Sequence, residues 1–157
     1  MAVERSRITL LASGAVFALA LASGTKRLAR SESLPQVTVY KSPTGGCCEA
    51  WVGHLRTQGF RVKVENLTNL RPVKAKYGIP ADLEACHTAL VDGYVVEGHV
   101  PADLIVRLLR ERPPVVGLAV PGMPAGSPGM EVPGSSAQPY QVFTFDRNGK
   151  TGVFATR

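Results

Sequence analysis

The chain has 157 residues, a formal net charge of +6, and 45% apolar against 19% charged side chains. This composition excludes a disordered or low-complexity chain, and the length holds one domain together with an export segment and a tail. The basic residues are scattered, with no basic run interleaved with aromatics, so the surplus reads as a solvated surface in preference to a nucleic-acid interface.

At the N-terminus, Arg5 and Arg7 precede an apolar run of small residues from Ile8 to Ala22, which ends in the A-x-A pattern Ala20-Leu21-Ala22. This is the layout of a secretory signal peptide. The run is short against the ~20 apolar residues of a spanning helix, so an uncleaved membrane anchor is the lesser reading. Residues 1–24 are expected to be the signal peptide or anchor, and 25–34 a polar linker with Lys26, Arg27 and Arg30. Export leads to an oxidising compartment, where cysteines pair. The chain has 3 cysteines, so at least one stays free, metal-bound or paired between chains. A bridge from Cys86 to Cys47 or Cys48 is the plain structural expectation.

Gln36 to Tyr40 alternates and is β-branched, and reads as a first strand. Thr44 is placed to cap the helix that follows, whose apolar stripe is Trp51, Val52 and Leu55 and whose stop is Gly59. Phe60 to Glu65 gives a second strand. Leu70 to Tyr77 is a weaker helix with Pro72 in its first turn and Gly78 after its end. Two β-prone runs, Thr88 to Val91 and Tyr94 to Glu97, flank Asp92-Gly93, a strong hairpin signal. Pro101 opens a helix with Leu104, Ile105, Leu108 and Leu109 on its apolar face. The order β-α-β-α-β-β-α over 35–112 defines an α/β domain. Its two βαβ steps imply parallel pairing with right-handed crossovers. Residues 113–157 form an extension: a Gly/Pro-rich stretch from Pro113 to Pro139, expected to be irregular, and a closing hairpin around Asn148-Gly149.

The chemistry concentrates in two places. Cys47 and Cys48 follow Gly45-Gly46 at the start of the first helix, where unpaired N–H groups and the helix dipole favour a thiolate. Cys86-His87 stands immediately before a strand, and a strand start beside the first helix would bring Cys86 close to Cys47. Sulfur and imidazole together suit Cu(I) or Zn(II), thiolate favouring the softer ion. His87 serves equally well as a ligand or as a partner for backbone groups. Met123 and Met130 offer neutral thioethers for Cu(I), or simply fill apolar gaps. His54 lies about two helical turns beyond Cys47, roughly 10 Å, and reads as a surface residue. His99 follows the hairpin and either caps the next helix or adds a ligand. No Ser-His-Asp, P-loop or HExxH pattern is present.

These residues sit in longer blocks: Val39 to Thr44, Cys47-Cys48, Trp51-Val52, Cys86 to Ala89, Val91 to Pro101, and Gly117 to Pro124. Through them the chain resembles the CopG-like periplasmic proteins, a family long described as of unknown function and associated with copper resistance. The resemblance covers about Val37 to Met130. It implies a thioredoxin-like fold and a periplasmic copper protein that sequesters Cu(I) or passes it to another periplasmic copper-handling protein. Zinc is the lesser cofactor. The implied ligands are Cys47, Cys48 and Cys86, with His87, Met123 and Met130 of second rank. The family pattern Cys-Gly-Cys-Cys is broken here, because Gly45 stands at its first position. Dithiol exchange through a C-x-x-C pair at 45 and 48 is thereby lost, and a four-cysteine cluster loses one thiolate. A thiol-disulfide or copper oxidoreductase is the rival reading, and a degenerate member with a structural disulfide is the third.

Overall fold

The computed structural model describes residues 33–157. The expected signal peptide or anchor, and the linker as far as residue 32, lie outside the described residues. One sheet of seven strands organises this unit, in the order β2-β1-β3-β4-β5-β6-β7. The strands are β1 (Val37–Lys41), β2 (Val62–Asn66), β3 (His87–Val91), β4 (Tyr94–Gly98), β5 (Gly117–Val120), β6 (Gln141–Phe145) and β7 (Thr151–Thr156). Three helices join them: α1 (Gly46–Thr57), α2 (Arg71–Lys76) and α3 (Ala102–Glu111). The β-α-β-α-β-β-α order read from the sequence is therefore present, in a mixed α/β protein. No helix among the described residues is long and apolar enough to cross a membrane.

Local signals set most boundaries. Gly59 follows the C-cap Gln58 of α1, donating to the Arg56 carbonyl at 3.0 Å, while the Phe60 N–H reaches the Leu55 carbonyl at 3.1 Å. This pair of bonds is a Schellman motif, and Phe60 and Leu55 both enter the core beneath it. Asp92 and Gly93, at φ 46 and 86, make the tight turn between β3 and β4 that their left-handed conformations allow. Pro72 falls in the first turn of α2.

Three expectations need correction. Thr44 does not cap α1: Gly45 is the N-cap residue and no side chain caps it, while the Thr44 hydroxyl lies 3.2 Å from Ser42 Oγ. The second strand-helix-strand step is not parallel. β1 pairs parallel with β2, but β3 runs antiparallel to β1, with Lys41 opposite His87. The α2 connection is short and passes through a single 3-10 turn, Ala81–Leu83, so the chain re-enters the sheet from the end it has just reached. Finally, the Gly/Pro-rich stretch is not wholly irregular. Gly117–Val120 is a fully buried strand, parallel to β4, and it carries the sheet on into the β6–β7 hairpin. A continuous apolar run of four residues has no period to betray it.

Alternation along the strands divides the core between the two sheet faces. One face carries Val37, Val39, Ala89, Val96, Leu118 and Val120 against Trp51, Leu55, Ile105 and Leu108 of α1 and α3. The other carries Val95, Ala119 and Phe145 against Ile79 and Leu83. Trp51 is fully buried, and its indole N–H donates to the Val100 carbonyl at 2.9 Å. That bond ties α1 to the segment leaving β4, the two elements that bear the candidate site.

Candidate metal site

The antiparallel pairing of β3 is what assembles the site. The end of β1 leads into the Ser42–Gly45 turn and the start of α1, and that end lies beside the start of β3. The β3–β4 hairpin then returns the chain, with Thr88 opposite Glu97, so the residues after β4 arrive at the same end of the sheet. Cys47 and Cys48 from α1, Cys86 before β3 and His99 after β4 thus converge. Their ligand atoms all lie within 4.8 Å of one another. Cys47 Sγ and Cys48 Sγ are 3.9 Å apart, and Cys86 Sγ is 3.1 Å from His99 Nε2. All three cysteines are free thiols.

A buried network fixes the loop that carries Cys86. Lys74 reaches from α2 to donate to the Ala85 carbonyl at 2.9 Å and to Thr88 Oγ1 at 3.3 Å, and it pairs with the Glu97 carboxylate. Glu97, itself fully buried, accepts from the Ala85 N–H at 2.6 Å and the Thr88 hydroxyl at 2.7 Å. Burial pushes the Glu97 carboxyl upward against the pull of Lys74. Gly98 completes the clamp: a Cβ there would stand 2.5 Å from the Val120 carbonyl oxygen and 2.7 Å from Ala85 Cβ, so only glycine lets the loop approach this closely.

His99 is set up as a donor by its other nitrogen. Its Nδ1 lies 2.7 Å from the Pro128 carbonyl oxygen. A carbonyl only accepts, so Nδ1 carries the proton and Nε2 presents a lone pair toward Cys86. Burial lowers the His99 pKa, which keeps the ring neutral. An imidazole held by N–H to a backbone carbonyl is the usual posture of a metal-binding histidine.

The thiols differ sharply. Cys48 is lowered to about 4, chiefly by the hydrogen bond from Cys86 and further by His87. It occupies the third position of α1, where free N–H groups add to the same effect. Cys86 is pushed upward, first by its hydrogen bond to Cys48 and then by burial. Cys47 is raised by burial and by the neighbouring Cys48 charge. Of the three thiols, Cys48 is thus the one drawn downward, while Cys47 and Cys86 are held up.

The sequence reading named Cys47, Cys48 and Cys86, and the structure brings all three together. His99, left there between two roles, is the imidazole within the four-donor group; it does not cap α3. His54 does that: its Nε2 accepts the Ala102 N–H at 3.2 Å, so it is half-buried and structural, not a surface residue. His87 is fully buried, with Nδ1 3.3 Å from Cys86 Sγ and its ring 4.3 Å from that of Trp51. Its Nε2 has no hydrogen-bond partner among the described residues. Met130 is half-buried in the loop whose Pro128 carbonyl holds His99, and Met123 is 40% exposed. The signal for His99 was its place in the hairpin: twin strands of equal length return it to the level of Cys86.

Three cysteine sulfurs and one preset imidazole at the strand ends of a mixed α/β protein make a donor set that could hold a soft metal ion. The comparisons narrow this. Residues 83–130 match a protein family described as of unknown function, DUF411. A solved structure of copper resistance protein CopG, form 2, is 43% identical, with a TM-score of 0.74 over 79% of this chain and 98% of that one. Form 1 is 44% identical, with a TM-score of 0.73 over 78% and 98%. No curated protein matches the chain. The chain belongs to the CopG family.

Proposed function

We propose that this chain is an exported, periplasmic protein that binds Cu(I) through Cys47, Cys48 and Cys86, with His99 as nitrogen donor, in copper resistance or homeostasis. The observation that carries this reading is the donor set, three sulfurs and one preset imidazole within 4.8 Å. The name of its relatives, copper resistance protein, supports copper. A three-sulfur, one-imidazole set also suits zinc, and the preponderance of thiolate favours the softer Cu(I).

The site residues divide the work. Cys48, whose thiol is lowered to about 4, is the first donor. Cys47 and Cys86 give up their protons on binding, so uptake of the ion releases protons to solvent. Pro128 keeps Nε2 of His99 as the free lone pair. The Lys74–Glu97 clamp holds Cys86 in place without lending a donor. His87, whose buried Nε2 would cost about 1–3 kcal/mol if left unbonded, stands in the second rank with Met123 and Met130. The partner implied beyond the ion is another periplasmic copper-handling protein. A thiol-disulfide or copper oxidoreductase remains the rival, because a thiolate at about 4 beside a second thiol also suits redox chemistry.

The test is an anaerobic Cu(I) titration of the reduced full chain against a chromophoric chelator, with Cys86→Ser and His99→Ala alongside. Each variant is expected to lose more than about 100-fold in affinity, the upper range for removing even an outer partner of a ligand. Saturable binding unaffected by either change would overturn the site. Turnover of a disulfide or of copper redox state, without a stoichiometric complex, would establish the rival.

A further inference from the structure

The cluster of four donors borders the start of α1, where two glycines precede Cys47 and Cys48. Cys86 and His99 come from the ends of β3 and β4, and the Pro128–Gly129 loop closes over α1, where a Cβ on Gly129 would stand 2.8 Å from the Cys47 carbonyl oxygen. Gly45 is half-buried and Gly46 exposed, and neither carries a side chain. A Cβ on Gly45 would have as nearest neighbours Cys48 Sγ at 3.2 Å, Cys48 Cβ at 3.6 Å and the Ser42 carbonyl oxygen at 3.7 Å; one on Gly46 would meet nothing within 4 Å. Gly45 has φ −78 and ψ 94, which any residue can adopt, so the backbone does not demand glycine there. The direction in which a side chain at 45 would point is toward the Cys48 sulfur, and the space beyond Gly46 is open to solvent.

From this geometry we propose that the opening over Gly45–Gly46 is a coordination position filled from outside by a soft sulfur donor, the thiolate of a small-molecule thiol or of a cysteine in a copper-exchanging protein. The inference rests on the Cu(I) reading above. The incoming thiol binds as thiolate and its proton passes to water; one copper–sulfur bond forms, and no bond of the chain breaks until the ion leaves with the newcomer. An open position suits exchange: the ion gains a bond to its next carrier before losing those to Cys47, Cys48 and Cys86.

The test uses the full chain, reduced and loaded anaerobically with Cu(I), followed by native mass spectrometry. Two probes are added separately, glutathione and a short peptide with a single cysteine. Wild-type protein is expected to form a ternary protein–copper–thiol adduct with at least one of them. Adduct with glutathione alone assigns the position to a small-molecule thiol. Adduct with the peptide, or copper transfer to it, assigns it to a protein cysteine. Gly45→Cys, which supplies the sulfur from within, is expected to keep copper and lose the adduct. Gly53→Cys adds a thiol on α1, where a Cβ meets nothing within 4 Å, and is expected to leave the adduct intact. Gly45→Val blocks the opening without a donor and serves should the cysteine variant misfold. Copper uptake with no adduct in wild type, or an adduct undiminished in folded Gly45→Cys, overturns the proposal alone. No copper uptake at all overturns it together with the reading it rests on.

Discussion

Cys48 shows how one residue's position decides its chemistry. As the third residue of α1 it lies among the helix's free N–H groups, and the Cys86 side chain, on the loop just before β3, is the chief cause that lowers its pKa. Its thiol falls from the ordinary 9.0 to about 4, while those of Cys47 and Cys86 rise. The reduced, metal-free protein should therefore show the ultraviolet absorbance of one thiolate at neutral pH, lost only as the pH falls through about 4. Cys48→Ser should remove it, whereas absorbance equal to zero or three thiolates at pH 7 would contradict this division of protons. The sign for stability follows. A depressed folded-state value means that the contribution of Cys48 is complete above its ordinary 9.0 and is lost as the pH falls toward about 4. That Cys47, Cys48 and Cys86 belong together was legible in the sequence, because their types and their strand and helix contexts pointed to one edge. Which imidazole joins them was not. His87 and His99 differ only in what lies opposite each ring, and Pro128, which orients His99, is 29 residues away in the chain.

At the scale of elements, two joints hold the site-bearing segments in place. His54 links α1 to α3 by accepting the Ala102 N–H, an acceptor at the opening of a helix. His54→Ala should lower stability in urea unfolding by about 1 kcal/mol, as for loss of a helix cap. Burial lowers the His54 pKa, and only the neutral ring accepts, so this contribution is present above the ordinary 6.5 and fades as the pH falls through the lower folded value. Wild type and variant should thus converge in mildly acidic solution; a gap that stays constant with pH would exclude the bond as its source. Lys74 and Glu97 form the second joint. Lys74→Met strands a buried carboxylate and should cost about 3–5 kcal/mol, with Lys74→Met/Glu97→Gln recovering part of the loss. A single variant as stable as wild type would show that Lys74 does not hold the Cys86 loop. The helices, the hairpin and their stops were readable from local rules: Gly59, Pro72 and Asp92-Gly93 act through their own backbones. The buried pair was not readable, because Lys74 on a short helix and Glu97 in a strand look like solvated charges until the fold faces them.

Over the whole molecule, the Gly/Pro-rich stretch is the part that changes meaning between sequence and structure. Read alone it lacks any period; folded, it supplies β5 to the middle of the sheet and then a loop that crosses α1 to reach His99. Gly129 is the point of closest approach. At φ 85, a Cβ would stand 2.7 Å from the Trp51 nitrogen. Gly129→Ala should cost about 1–3 kcal/mol from left-handed strain and overpacking. It should also weaken copper binding by lifting Pro128 from His99, with both effects read in the same preparation by thermal unfolding and chelator competition. Loss of stability with unchanged affinity would separate the loop from the site. The sequence by itself determined the element order over 35–112, the hairpins and the three sulfurs, because strand alternation, turn residues and helix stops act over a few residues and leave a local pattern. Tertiary structure alone decided the antiparallel direction of β3, the place of β5, and the choice of His99. Each of these depends on which distant backbone groups meet, and no window of the chain contains both partners.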